Sequence, residues 1–207
     1  MQGEINEKNA TIALLSRDPG IQVSVLAEYT ELEDPEKSRM LGGGQLAFES
    51  VIDSDATNYY IDSDGDIRDV STVSVNLGNV RYAVKGLVWV AYEEAGPLFT
   101  YLQQPLSTAV VTFNKQRRLE PQDSMYYELV QQYRHTRNCA LGPPSVYSFA
   151  LDMSSRLNWG TANFAGLSEA SLQASVRPGM PRFKLKVFSL YYNFLDISSF
   201  SGKVLYV

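Results

Sequence analysis

The feature that most constrains this 207-residue chain is a strict alternation near its C-terminal end, where Phe183, Leu185 and Val187 interleave with Arg182, Lys184 and Lys186. Successive side chains of a strand point to opposite faces, so this run folds as a strand with one apolar face and one cationic face. A second clean alternation sets Ile21, Val23, Val25, Ala27 and Tyr29 against Gln22, Ser24, Leu26 and Glu28. Short apolar or alternating runs between turn residues predict further strands at 72–77, 84–92, 108–113, 146–151, 170–176 and 203–207, with the strand from Phe183 reaching Phe194. Residues 45–52 also read as extended. The 13 Tyr and 9 Phe favour half-buried pleated surfaces. Only two helices are predicted. One spans 35–41, with Asp34 as N-cap, Pro35 in the first turn and Gly42-Gly43-Gly44 as its stop; the other spans 123–133, capped by Asp123 or Ser124. This pattern predicts an all-β chain, a jelly-roll β-sandwich of eight strands in two packed antiparallel sheets with one or two short helices.

Several chemistries are excluded by what is scarce. One cysteine, Cys139, and one histidine, His135, cannot build a disulfide, a Cys/His zinc site or a metal centre of the cupin type. His135 and Cys139 lie four residues apart and would share a face only in a helix, so a polar loop is the expectation. The carboxylates at Glu93, Glu94, Glu120, Asp123, Glu128, Asp152, Glu169 and Asp196 show no spacing that pairs any two across a cleft. Asp62-Ser63-Asp64-Gly65-Asp66 resembles the opening of a calcium loop, but Val73 stands where an EF-hand needs Glu. A solvated acidic turn is the default there, with an irregular cation site drawing in Asp53 and Asp55 left open. Gly42-Gly43-Gly44 is followed by no Lys-Ser/Thr pair and is not a phosphate cradle. Asn9-Ala10-Thr11 fits a glycosylation sequon by chance, since Met1-Gln2-Gly3-Glu4 opens no secretory signal. We therefore expect no catalytic residue, no metal ligand and no cofactor, and a chain made and kept in a reducing compartment.

The net charge of −5 is unevenly spread: residues 1–72 carry 15 Asp/Glu against 5 Lys/Arg, and residues 73–207 carry 8 against 13. Arg117-Arg118 is the one basic doublet, too little for a nucleic-acid footprint. Residues 188–195 form one of the longest near-apolar stretches, far short of the roughly 18–20 residues a spanning helix needs. Residues 53–69, rich in Asp, Ser and Gly, read as a loop or a boundary between units.

Specific motifs add a resemblance. Val84-Lys85-Gly86-Leu87-Val88-Trp89-Val90, Phe113-Asn114-Lys115-Gln116-Arg117-Arg118 and Tyr126-Tyr127-Glu128-Leu129-Val130-Gln131-Gln132-Tyr133-Arg134-His135 come first. Val146-Tyr147-Ser148-Phe149-Ala150-Leu151-Asp152, Asn163-Phe164-Ala165-Gly166, Ala170-Ser171-Leu172-Gln173 and Tyr191-Tyr192-Asn193-Phe194-Leu195 follow in order. Over roughly 82–207 the chain resembles the second jelly roll of the major capsid proteins of nucleocytoplasmic large DNA viruses. It departs from the family at Leu157-Asn158-Trp159-Gly160, where a Pro-Ser-Gly is usual, and at Ala165-Gly166, where Ser-Arg is usual. Val25-Leu26-Ala27-Glu28-Tyr29 and Leu32-Glu33-Asp34-Pro35-Glu36-Lys37-Ser38-Arg39 are similar to the end of the family's first jelly roll and its exit helix. On that resemblance residues 1–52 belong to a first, incomplete jelly roll, 53–72 form an acidic linker, and 73–207 form the second jelly roll.

The resemblance implies a non-enzymatic structural protein of the virion, synthesised in the host cytoplasm. It would form a homotrimer, a pseudo-hexameric capsomer tiling an icosahedral shell. Its implied partners are neighbouring capsomers and minor capsid proteins, with no direct nucleic acid and with an internal viral membrane nearby but not entered. Two other readings stay open: a single-jelly-roll minor or vertex capsid protein, and a β-sandwich module binding carbohydrate or a host surface through Tyr59, Tyr60 and Trp159. Trp89 and Phe149 read as core anchors.

Overall fold

A computed structural model describes residues 11–12, 23–24, 44–93, 101–102, 104–136, 144–155, 160–198 and 201–205. The expected helix at 35–41 and most of the alternating run at 21–29 lie outside the described residues. Two short strands, β1 (Thr11–Ile12) and β2 (Val23–Ser24), pair antiparallel. The remaining strands are β3 (Gly44–Thr57), β4 (Tyr59–Ile61), β5 (Ile67–Asp69), β6 (Thr72–Asn76), β7 (Ala83–Glu93), β8 (Leu106–Phe113), β9 (Gln116–Arg117) and β10 (Gln122–Asp123). A helical segment follows, a π-turn at Tyr126–Val130 running into α1 (Gln131–His135). Then come β11 (Ser145–Ser148), β12 (Ala162–Asn163), β13 (Ala170–Val176), β14 (Phe183–Ser198) and β15 (Ser201–Leu205).

Two antiparallel sheets face each other. In the first, β14 lies between β3 and β7, and β7 carries β11 and β12 on its far side. In the second, β13 lies between β6 and β8, with β9 and β10 beyond β8. If the strands of an eight-stranded jelly roll are lettered B to I along the chain, these orders read B-I-D-G and C-H-E-F, as the fold requires. The expected class is thus observed.

Each strand's alternation places its apolar face inward. Phe183, Leu185, Val187 and Tyr191 of β14 meet Leu87, Trp89 and Ala91 of β7, and across the gap stand Val73, Val75, Ala109, Val111, Leu172 and Ala174, all buried. Burying one such side chain contributes about 1.5–3 kcal/mol, so β14 alone is a large share of the core. The helical segment closes one edge: the Tyr127 ring packs against Trp89 at 5.0 Å and its hydroxyl donates to the Ala109 carbonyl at 2.9 Å. The hairpin from β8 to β9 turns through Asn114 and Lys115, both at positive φ (50° and 65°), as a two-residue type I′ turn demands. The Asn114 side-chain oxygen then accepts from the backbone N–H groups of Ser168 and Glu169, tying this turn to the start of β13.

Two sequence expectations need correction. Residues 53–57 are not loop but the end of β3, which pairs with β14 from Gly44 to Thr57 without a break. The boundary expected after residue 52 therefore falls inside a strand, and residues 44–52 share a sheet with residues 183–198. Asp53, Ser54 and Asp55 mimic a turn in composition, but Ile52 and Ala56 pack on the core while the two aspartates face outward beside lysines. Acids are tolerated on a strand when the neighbouring strand supplies cations. The rest of the expected linker is largely ordered as the β4–β5 hairpin. The second correction is shorter: β11 ends at Ser148, and residues 149–151 bend away.

The core offers a paired test. Trp89→Ala should lower unfolding free energy by about 3–5 kcal/mol. Ser189 is fully buried between Val187 and Tyr191, and its hydroxyl has no hydrogen-bond partner. Ser189→Ala should therefore be neutral or stabilising in the same denaturant titration.

Candidate functional site

The outer face of the first sheet carries the most organised polar chemistry. Lys184 Nζ lies 2.9 Å from Asp55 and Lys186 Nζ lies 2.7 Å from Asp53, each lysine reaching diagonally along the adjacent strand. The hydrogen bond from Lys186 holds the Asp53 carboxyl below its usual range, and the same contact raises the Lys186 ammonium. This ladder is the solvated face foreseen in the alternation of Lys184 and Lys186.

Further along the same face lies a feature the sequence did not reveal. Opposite Leu190 and Tyr191 the register of β7 slips, leaving Lys85 as an extra residue between Val84 and Gly86. Such a bulge re-aims one side chain. Lys85 is 1% exposed; its ammonium pairs with Glu49 of β3, donates to the Ser155 carbonyl at 2.6 Å and sits 5.4 Å from the Tyr192 ring centre. Its own carbonyl accepts from Phe149 and Ala150. Gly86 lets the bulge pack closely: a Cβ there would displace the Met153 side chain, whose Sδ would lie 2.6 Å away, and would stand 3.1 Å from the Tyr147 carbonyl oxygen. The cluster thus binds β3, β7, β14 and residues 149–155 together. Its cation is fully engaged, and its geometry is that of a structural clamp.

The residues weighed for chemistry do not converge. His135 Nδ1 lies 3.2 Å from the Leu151 carbonyl oxygen, while Cys139 lies outside the described residues. Asp62 accepts from the N–H groups of Asp64 and Asp66 and pairs with Arg68 at 2.6 Å, which lowers its carboxyl below the usual range. Its oxygens are thereby occupied by the hairpin's own turn. Among the described residues no group of three His, Cys, Asp or Glu side chains is placed to hold a metal ion. Arg117 pairs with Glu120 at 3.4 Å, and the Arg118 guanidinium lies 5.5 Å from the Phe113 ring centre, so the basic doublet is split between two local contacts. Gly44 starts β3, whereas Gly42, Gly43, Asn9 and Trp159 lie outside the described residues. Tyr59 lies beneath Arg182 at 5.8 Å and Tyr60 is exposed; as consecutive residues of β4 they point to opposite faces, so the two rings do not form one stacking surface. Trp89 is a core anchor as expected, and Phe149 packs at the core margin among Phe113, Tyr147 and Phe164. Beside Phe149 the sandwich edge opens into a mouth of about 430 Å³ lined by Phe113, Arg118, Tyr147, Ser148, Phe149 and Thr161, in which the two hydroxyls have no His, Asp or Glu among the lining residues to act as base. Of the carboxylates, Glu128 is buried; burial raises its pKa, with Arg177 opposing and Asp123 adding to the shift.

A sheet pair with jelly-roll strand order is also what comparison with known proteins returns. The sequence profile of the family described as "Large eukaryotic DNA virus major capsid protein" matches residues 55–202. The chain belongs to that family. Within this capsid family it is 32% identical over 123 residues to the "Major capsid protein" of Phaeocystis pouchetii virus, covering 57% of this chain and 24% of that protein. It is 28% identical over 192 residues to the one of Chrysochromulina ericina virus, covering 89% and 30%. The chain spans under half the length of these curated relatives. Among solved structures, "PBCV-1 virus capsid, quasi-atomic model" superposes with a TM-score of 0.65 at 18% identity, over 85% of this chain and 55% of that one. The "Faustovirus major capsid protein" does so with a TM-score of 0.58 at 9% identity, over 81% and 36%. Val84-Lys85-Gly86, part of the run on which the sequence resemblance rests, coincides with the bulge, and the clamp accounts for its polar residue.

Two outcomes follow for this capsid-family chain. Glu49→Gln should destabilise by on the order of 1–3 kcal/mol by leaving the Lys85 ammonium without its counter-charge, whereas Lys85→Met should cost less, as thermal melts would show. Because the Glu128 carboxyl is raised in the fold, its ionisation opposes folding at neutral pH and ceases to do so below its unfolded value. Glu128→Gln should accordingly raise Tm at pH 7, and the gain should shrink as pH falls toward 4.

Proposed function

We propose that the chain is a structural component of a large DNA virus capsid and acts by self-association, without catalysis. The observation that carries this reading is the family match over residues 55–202, which takes in all of the B-I-D-G and C-H-E-F sheet pair except most of β3. In this reading β3 to β15 belong to one jelly roll, and the residues before β3 belong to the end of a preceding one, as the motif resemblance at 25–39 implies. Three copies form a pseudo-hexameric capsomer, with further capsomers and minor capsid proteins as neighbours in the virion. Among the described residues no helix is long and apolar enough to cross a membrane. The polar order of the outer face joins strands within the first sheet, and exposed edges and hairpins remain available for contacts between copies.

Sedimentation of the purified chain at micromolar concentration tests this reading. A trimer is expected, in one sharp boundary that persists on dilution into the low micromolar range. A clean monomer throughout that range counts against it.

A further inference from the structure

The mouth beside β11 joins an apolar wall to a cation without a counter-charge. It forms where the β8–β9 hairpin meets the end of β11 and the start of β12. The wall is an interlocked aromatic cluster: the Phe113 and Phe149 rings lie 5.8 Å apart, both meet Phe164, at 5.0 and 5.7 Å, and Tyr147 meets Phe149 at 5.1 Å. Phe164 is buried and anchors the cluster in the core, while Phe113 and Phe149 are half-buried and line the mouth. Rings already held in place offer contact area at little entropic cost on binding.

Arg118 stands at the rim of this wall. Its guanidinium lies 5.5 Å from the Phe113 ring centre and close enough to the Tyr147 hydroxyl to lower that group's pKa against the upward pull of burial. Among the described residues it pairs with no carboxylate, whereas Arg117 beside it takes Glu120. A guanidinium stacked on a ring and left without a counter-charge presents its remaining N–H groups as a planar fork, the geometry that receives a carboxylate.

The other polar groups narrow the ligand. The Ser148 hydroxyl is spent on Ala150, donating to its carbonyl at 2.7 Å and accepting from its N–H at 3.1 Å, and Asn163 Oδ1 accepts from the Ala165 N–H at 3.0 Å. What remains is rich in donors: the guanidinium, the Asn163 side-chain N–H groups and the Thr161 hydroxyl. A sugar ring needs acceptors as well as donors around its edge, so this set serves it poorly and suits one anionic group on an apolar body. Spacing narrows the ligand again. In an extended peptide consecutive side chains point to opposite faces and alternate ones stand roughly 7 Å apart, so an internal acid and its apolar neighbour do not enter one small mouth together. The last residue of a chain does, because it carries a carboxylate and a side chain on the same Cα.

We propose that this mouth receives the carboxy-terminal residue of a partner polypeptide whose last side chain is aromatic, with Arg118 taking the α-carboxylate and Phe113 and Phe149 the side chain. This inference rests on the capsid reading only for the kind of partner, an unlike chain of the same shell; the site itself stands on its own geometry.

Isothermal titration of the full chain tests it. The probes are N-acetylated Gly-Ser-Gly-Phe with a free carboxylate, the same peptide as its C-terminal amide, Gly-Ser-Gly-Gly with a free carboxylate, and glucuronate as an acidic sugar. The free acid ending in Phe should bind, and the amide and the Gly-ended peptide should each bind about tenfold more weakly or worse. Arg118→Gln should erase the difference between acid and amide while keeping Tm within about 2 °C, since the side chain is exposed. Arg117→Gln, the same loss of charge one residue away, should bind as the parent does. A parent that takes acid and amide equally, binds none of the peptides at millimolar concentration, or prefers glucuronate overturns the proposal, as does undiminished binding by Arg118→Gln. None of these results depends on assembly: a chain that is monomeric by sedimentation yet binds the free acid removes the self-association reading and leaves this one standing.

Discussion

The strand from Phe183 to Ser198 is the constraint on which the rest of the molecule depends. It pairs along almost its whole length with β3, along its first half with β7 and at its end with β15, so three strands take their register from it. Its inward residues fill the sandwich and its outward lysines neutralise the acids of β3. A one-residue slip would exchange those faces, putting Lys184 and Lys186 against Trp89 and Leu87 and placing Phe183 and Leu185 in water. Register is thereby specified twice, by burial on one face and by charge on the other.

The Lys85 bulge shows how the fold tolerates a break in that order. An extra residue in β7 would leave unpaired backbone at a sheet interior, but its carbonyl is taken by Phe149 and Ala150 and its ammonium by Glu49 and Ser155. The cost of desolvating a lysine is offset only because one partner is a carboxylate open to solvent on its far side. Packing Met153 against Gly86 then seals the bulge. A local irregularity is thus turned into the point where four segments meet.

Much of the fold was legible because burial and period two coincide: Phe183–Val187, Ala170–Val176 and Thr72–Asn76 each announce a strand with a buried face. The acidic stretch was misread for a physical reason. Asp and Ser favour turns when nothing answers them, and the lysines that answer Asp53 and Asp55 lie more than 120 residues away. Lys85 was illegible on similar grounds, since a lysine within an apolar run gives no sign of the bulge that aims it or of the glutamate that receives it. The helical segment was foreseen, but not the π-turn with which it opens.

A sandwich of this kind can present function only at its margins. Among the described residues the inward positions are committed to packing, and Lys85, Lys184 and Lys186 of the outer sheet face are engaged with its acids. What remains is the β4–β5 hairpin at one edge, the exposed side of the helical segment at the other, and an aromatic mouth beside β11. These margins differ in shape and charge, and a molecule whose opposite edges are unlike is suited to contacts that repeat in one direction around an axis. A self-complementary edge would pair two copies and stop. The β3 edge and the β11 edge of the first sheet are unlike in this sense, and that asymmetry follows from strand order before any particular contact is considered.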